Sequence, residues 1–207
     1  MPPRRASLFD PELPQGFLYR PEFITLDEES QLAAAIARVE FADFAMRGVV
    51  ARRRVAFYGR TYDAGAASTP PIPEFLLPLR AKVAEWAGVD PDAFAMALIN
   101  EYPPGAPIGW HRDAPQYDIV AGISLLSPCV MRFRPYLSRR SAECAKADVP
   151  PREQRASAPR RSATHEIILE RRSAYVMRGE ARNAYEHHVP EVKALRYSVT
   201  FRTLRAA

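Results

Sequence analysis

The stretch Gly109-Trp-His-Arg-Asp113 sets an imidazole and a carboxylate two residues apart, just after a Pro/Gly-rich turn. If the segment is extended, His111 and Asp113 share a side, because alternate strand residues face the same way. They would then be two members of a 2-His-1-carboxylate set, which leaves positions open on Fe(II) for oxygen activation. Alone the pair is a weak signal, since most His-x-Asp pairs are unrelated polar residues in a loop. A third ligand must come from His165, His187 or His188, the remaining histidines. His165 has no motif around it. His187 and His188 adjoin in Glu186-His-His-Val-Pro190, and strand neighbours point opposite ways, so both cannot easily ligate one metal.

A second group of polar residues lies on the C-terminal run Arg196-Tyr-Ser-Val-Thr-Phe-Arg202. Read as a strand, it puts Tyr197, Val199 and Phe201 on one face and Arg196, Ser198, Thr200 and Arg202 on the other. A structural strand with a solvated face could alternate the same way. Two arginines flanking two hydroxyls nevertheless suit carboxylates, because guanidinium binds them bidentately. Asn100 and Tyr102 share a face of their own strand by the same parity, so several polar groups could converge on one opening of a barrel.

The elements that would position these groups can be read from periodicity. Thr25-Leu-Asp-Glu28 is a capping box ahead of a helix with Leu32, Ile36 and Val39 on one face. A second helix is expected over 74–87, with a stripe of Leu76, Leu79, Val83 and Trp86, Pro78 in its first turns and Gly88 as its stop. These stripes read as core. Beyond residue 93 the pattern changes to short strands, expected at 95–102, 119–126, 130–133, 166–169, 175–177 and 196–204. Helices followed by many short strands indicate an α+β protein with helices packed outside a β-sandwich or jelly roll. A single domain over 1–207 is expected, with 1–92 an N-terminal extension and 93–207 the jelly-roll core.

The composition, 47% hydrophobic and 26% charged, is that of a soluble protein with no apolar run able to cross a bilayer. The first residues carry arginines with no apolar run behind them, so no secretory signal is expected. Two cysteines, Cys129 and Cys144, make no disulfide framework, which points to a reducing compartment and a cytoplasmic location. The net charge of +5 favours polyanionic partners. Only Lys82, Lys146 and Lys193 are lysine among 29 basic residues, so coding bias explains part of that charge. Residues 137–165 hold seven basic against three acidic residues in a Ser/Ala/Pro-rich setting. They read as a long basic loop, either a tolerated insertion or a flap that touches nucleic-acid backbone.

The ordered set of these pieces resembles the AlkB-like Fe(II)/2-oxoglutarate dioxygenases. The resemblance spans about Asn100 to Arg202. It is carried by Asn100-Glu-Tyr-Pro-Pro-Gly-Ala-Pro-Ile-Gly-Trp-His-Arg-Asp113, Gly122-Ile-Ser-Leu125, Arg172-Ser-Ala-Tyr-Val-Met-Arg-Gly179, Ala181-Arg182, Tyr185-Glu-His-His-Val-Pro190 and the C-terminal strand. It implies a double-stranded β-helix, or jelly roll, and Fe(II), 2-oxoglutarate and O2 as cofactor and co-substrates. The family's His-x-Val-Pro pattern selects His187, so the resemblance implies a metal set of His111, Asp113 and His187. It further implies that Arg196 pairs with the distal carboxylate of 2-oxoglutarate, supported by Tyr102 and Ser198, with Asn100 and Arg202 near the metal-binding end. Ser198 stands where the family often carries Asn, a shorter reach.

The implied activity is oxidative dealkylation of N-alkylated or etheno bases in DNA, and in RNA as a further substrate, in the service of DNA repair. Residues 53–59 with Tyr62 resemble the family's substrate lid. Arg53, Phe57, Tyr58, Tyr62, Trp110 and Arg182 are the expected substrate contacts, since a base taken out of the stack is held between flat side chains. Some members carry an acidic residue two places after the metal aspartate, where this chain has Pro115. That departure motivates a second reading, the same chemistry on a protein side chain or small molecule; a third is a non-catalytic jelly-roll binding module with a residual metal site. A monomer with nucleic acid as partner and no membrane association is expected.

Overall fold

The computed structural model describes residues 13–46, 49–60, 69–136 and 164–205. The basic loop expected at 137–165 lies outside them apart from its last two residues, and so does Tyr62. Among the described residues eleven strands form two sheets. The larger holds β1 (Phe17–Arg20), β9 (Ala174–Met177), β6 (Tyr117–Leu125), β11 (Arg196–Leu204), β4 (Phe94–Tyr102), β3 (Val49–Gly59) and β2 (Ala42–Met46), in that order. The smaller holds β5 (Ile108–His111), β10 (Tyr185–Val189), β7 (Cys129–Pro135) and β8 (His165–Leu169). All pairings are antiparallel. This is the jelly roll, with helices on the outer face of the larger sheet. No helix among the described residues is long and apolar enough to cross a membrane.

The first helix, α1 (Leu26–Ile36), begins at the capping box: the Thr25 hydroxyl accepts from the Glu28 N–H at 3.1 Å, and Glu28 accepts from the Thr25 N–H at 2.7 Å. The second, α2 (Leu77–Ala87), is preceded by a 3-10 turn at Glu74–Leu76, has Pro78 in its first turn, and ends on Gly88 at φ 70°, a left-handed cap suited to glycine. Ile36, Leu76 and Val83 are fully buried against Ile99, Ile123 and Val199 of the larger sheet. Each such side chain contributes roughly 1.5–3 kcal/mol. Glu29 is the one charged residue of α1 taken out of water. It accepts from the Leu126 N–H at 2.9 Å and from the Arg171 guanidinium, so it fixes a turn where Leu126 adopts φ 71°.

The inner faces of the two sheets enclose the rest of the core. A short helix, α3 (Gly179–Asn183), links β9 to β10. The strands expected from periodicity are all present within two residues. Periodicity missed β1, the β2–β3 hairpin, β5, α3 and β10. The hairpin lacks a turn signature of the usual kind between its strands, and β3 carries three consecutive arginines that hide its alternation.

Candidate active site

His111 ends β5, and His187 is its direct cross-strand partner on β10. Cross-strand partners on one face bring their side chains together. The imidazole centroids stand 4.2 Å apart with planes 55° to one another. Asp113 follows β5, and its Oδ2 lies 3.8 Å from His187 Nε2. Its Oδ1 accepts from Arg202 Nε at 2.9 Å and Nη2 at 2.8 Å. The Oδ2 atom is buried with no hydrogen-bond partner among the described residues. A buried carboxylate oxygen left bare is costly unless something else satisfies it.

The electrostatics suit a cation. Burial on its own pushes the Asp113 carboxyl up, but Arg202, His187 and His111 outweigh it and hold the group well below the usual carboxylate range. Burial, reinforced by His111, pushes His187 down to about 3, and burial lowers His111 as well. Both imidazoles are therefore neutral at physiological pH, with lone pairs free. His111 Nδ1 lies 2.8 Å from the Gly109 carbonyl, so Nδ1–H donates there and Nε2 is left for a ligand. Among the described residues no group of three or more His, Cys, Asp or Glu is placed closely enough to hold a metal ion as it stands. The chemistry of the donors, an unpartnered buried Oδ2 3.8 Å from a neutral imidazole, is nonetheless of the kind that suits a divalent cation. His188 points to the other side of β10, where it stacks on Trp110 with ring centroids 5.1 Å apart.

The three groups open onto a cavity of about 290 Å³ between the sheets. On its wall Arg196 pairs in register with Tyr102, and Ser198 with Asn100. The parity expected for β11 is present, with Arg196, Ser198, Thr200 and Arg202 all lining the cavity. Arg196 is 2% exposed, and its Nε donates to Ser124 Oγ at 3.0 Å. Its guanidinium carbon stands 5.0 Å from the Tyr102 ring centroid. Arg202 also donates from Nη1 to Thr200 Oγ1 at 3.0 Å. Arg202 is thus committed to Asp113, while Arg196 has no carboxylate partner among the described residues and can take one from a diacid.

The expected substrate contacts divide. Arg53 and Phe57 reach the cavity, with Phe44 of β2 beside them. Arg53 is not a surface side chain: it is 7% exposed, its guanidinium lies 4.2 Å from the Phe44 ring centroid, and among the described residues its Nε and Nη1 have no hydrogen-bond partner. Tyr58 departs from expectation. Its neighbour Phe57 faces inward, so Tyr58 faces the helix layer and packs there. Trp110 likewise lies outside the cavity, between His188 and the Arg134 guanidinium, 4.4 Å from its centroid. Arg182 is a correction too. It is buried, and its Nη2 donates to the carbonyls of Asp113, Ala114 and Tyr117, at 2.6 Å for Ala114. It clamps the ligand loop through Nη2 and does not line the cavity.

Three residues not singled out from sequence belong to the site. Ser124 shares the inward face of β6 with Gly122, so parity could have found it. Phe44 lies on a strand whose periodicity is obscured. Gln116 lines the cavity one place beyond Pro115, which is exposed, so the same loop carries a polar side chain where the acidic one is missing.

A family model described as the 2OG-Fe(II) oxygenase superfamily matches residues 35–202. The chain is 30% identical over 201 residues to the Alkylated DNA repair protein ALKBH8 homolog of Arabidopsis thaliana. That match covers 91% of this chain and 55% of the relative, so the chain spans about half that protein's length. Among solved structures, that of OsALKBH1 superposes with a TM-score of 0.61 at 13% identity, covering 91% of this chain and 98% of that one. A prolyl-4-hydroxylase from Pseudomonas putida superposes with a TM-score of 0.59 at 15% identity, covering 93% and 94%. At these identities the two structures speak for the fold alone.

Proposed function

The chain belongs to the 2OG-Fe(II) oxygenase superfamily, as an AlkB-like dioxygenase that uses Fe(II), 2-oxoglutarate and O2, and from that premise we propose that it oxidatively dealkylates N-alkylated or etheno bases in nucleic acid. When bound, iron and 2-oxoglutarate supply with O2 the oxidising power to hydroxylate a C–H bond, the co-substrate becoming succinate and CO2. On an N-alkyl carbon the hydroxylated product falls apart to free base and aldehyde.

In this reading His111, His187 and Asp113 Oδ2 hold the iron. Arg202 fixes the Asp113 carboxylate through Oδ1 so that one oxygen faces the metal. Arg196 takes the distal carboxylate of 2-oxoglutarate, with Tyr102 and Ser198 beside it and Asn100 toward the metal. Arg53, Phe44 and Phe57 form the substrate end, and Gln116 reads the edge of the guest.

The observation that carries the nucleic-acid reading is Arg53. A buried guanidinium over the Phe44 ring, with two nitrogens unpaired among the described residues and on the same cavity as the metal set, suits a flat guest rich in acceptors. A nucleobase is such a guest. The Arabidopsis relative, described as an alkylated DNA repair protein, supports the same substrate class. A second reading, oxidation of a protein side chain or small molecule, is favoured by Pro115 in place of an acidic base reader.

The test is turnover with Fe(II) and 2-oxoglutarate over a panel of alkylated and etheno oligonucleotides, DNA and RNA, single- and double-stranded. Succinate and aldehyde are expected in equal amounts with at least one of them, together with oligonucleotide binding that weakens steeply with salt. Decarboxylation unaffected by every oligonucleotide would move the assignment to the second reading.

A further inference from the structure

Tyr175 has no place in the site as assembled so far, yet it lines the same cavity. It sits on β9 directly opposite Gly122 of β6, and Gly122 is in turn opposite Thr200 of β11. The phenol lies across the β6 backbone at Gly122. A Cβ added at residue 122 would come within 2.3 Å of its Cζ, 2.4 Å of its Cε1 and 2.5 Å of its hydroxyl oxygen. No real Cβ tolerates such contacts, so glycine at 122 is what lets the ring cross β6 toward β11. Gly122 needs no unusual backbone angle, and its φ is not positive. Its purpose here is space.

The ring is anchored at its base by Phe17 of β1, stacked at 5.8 Å with planes 13° apart. It is 7% exposed, and that exposure faces the cavity. The surroundings of its hydroxyl are those of the co-substrate end. Burial keeps the phenol protonated, and the charges of Asp113, Arg196 and Arg202 and the Tyr102 phenol all act on it. A protonated phenol that lines the same cavity as Arg196 and Arg202 is a hydrogen-bond donor available to a dicarboxylate bound there. It also answers a shortfall already noted, the short reach of Ser198 from β11.

We propose that Tyr175 is a co-substrate-binding residue, its hydroxyl donating a hydrogen bond to a carboxylate oxygen of 2-oxoglutarate, and that Gly122 is the space it needs to reach that position. The inference rests on the reading that this cavity holds 2-oxoglutarate.

Calorimetric titration of 2-oxoglutarate into Mn(II)-loaded protein tests it without turnover. Tyr175→Phe keeps the ring and its stacking on Phe17. It is expected to weaken 2-oxoglutarate binding about tenfold, the loss of one hydrogen bond to a charged acceptor, with Mn(II) affinity unchanged. In the steady state the same variant should raise KM for 2-oxoglutarate and leave kcat nearly unaltered. Gly122→Ala should lower Tm and 2-oxoglutarate affinity together. Adding Tyr175→Leu to it should restore Tm but not affinity. Arg196→Ala is the control for the cavity. If Arg196→Ala loses 2-oxoglutarate while Tyr175→Phe binds it like the wild type, the Tyr175 proposal is overturned and the cavity reading stands. If neither variant changes binding, the cavity reading falls and takes the proposal with it.

Discussion

The two adjacent histidines give the sharpest contrast at the scale of single residues. They differ by one position, hence by one face of β10. His187 turns toward Asp113 and His111, and His188 toward Trp110 on the outside. Their surroundings differ accordingly: His187 is pushed down to about 3 by burial with His111 beside it, so its lone pair meets no competition from protons near neutrality. With His187 as a metal ligand, His187→Ala removes one of three donors and should abolish measurable Mn(II) binding. His188→Ala removes a stacking partner on the outer surface and should change Mn(II) affinity less than about threefold, a shift below 1 kcal/mol. Calorimetry on both variants separates the two, and equal losses would refute the ligand assignment. Asp113 obeys the same logic. Its Oδ1 is already spoken for by Arg202, so only Oδ2 is available to a metal.

Elements decide which of these residues could be foreseen. The face of β11 was legible because a strand has a fixed period of two and its central placement leaves no freedom. Arg196, Ser198 and Arg202 therefore lie where alternation puts them. His111 and His187 were legible as residue types at a motif spacing, but their direct cross-strand pairing depends on the register of β5 against β10, which no local pattern states. Tyr58 and Phe57 show the cost of reading composition without parity: both are aromatic, and only one faces the cavity. Arg182 was misjudged for a different reason. The resemblance made it a substrate contact, but its role depends on where the loop from Asp113 to Tyr117 runs, and that is a tertiary fact. The guanidinium satisfies three carbonyls of that loop from α3. Arg182→Met should therefore take the shared guanidinium donor away from those carbonyls, leaving Ala114 with the Tyr117 N–H, and loosen the segment carrying Asp113. Groups that orient a ligand from behind typically account for 10–100-fold in metal affinity. A fall of that order in Mn(II) binding is expected, with far-UV circular dichroism unchanged. Unaltered Mn(II) affinity would show that the loop holds its shape without the clamp.

At the scale of the whole molecule, the site is where the two sheets are tied together. His111 and His187 belong to the smaller sheet, while Arg202, Arg196, Tyr102 and Asn100 belong to the larger. Within the protein the Asp113–Arg202 pair spans that gap, and Oδ2 waits on the other side of the carboxylate. A metal on the three proposed ligands would complete one tie, and a diacid reaching from the metal to Arg196 would add a second. Ligands that bind only the folded state stabilise it by RT ln(1 + [L]/Kd), about 2.7 kcal/mol at a hundredfold excess over Kd. For a protein of this size each kcal/mol moves Tm by roughly 2–4 °C. Saturating Mn(II) alone should thus raise Tm by about 5–10 °C. Adding 2-oxoglutarate should raise it again, and only when metal is present, because the co-substrate's keto-acid end needs the metal. In Arg196→Ala the metal increment should persist and the 2-oxoglutarate increment vanish. A 2-oxoglutarate increment of the same size in wild type and Arg196→Ala would mean that the diacid is held elsewhere, and that the larger sheet contributes to the metal end of the site but not to the co-substrate end.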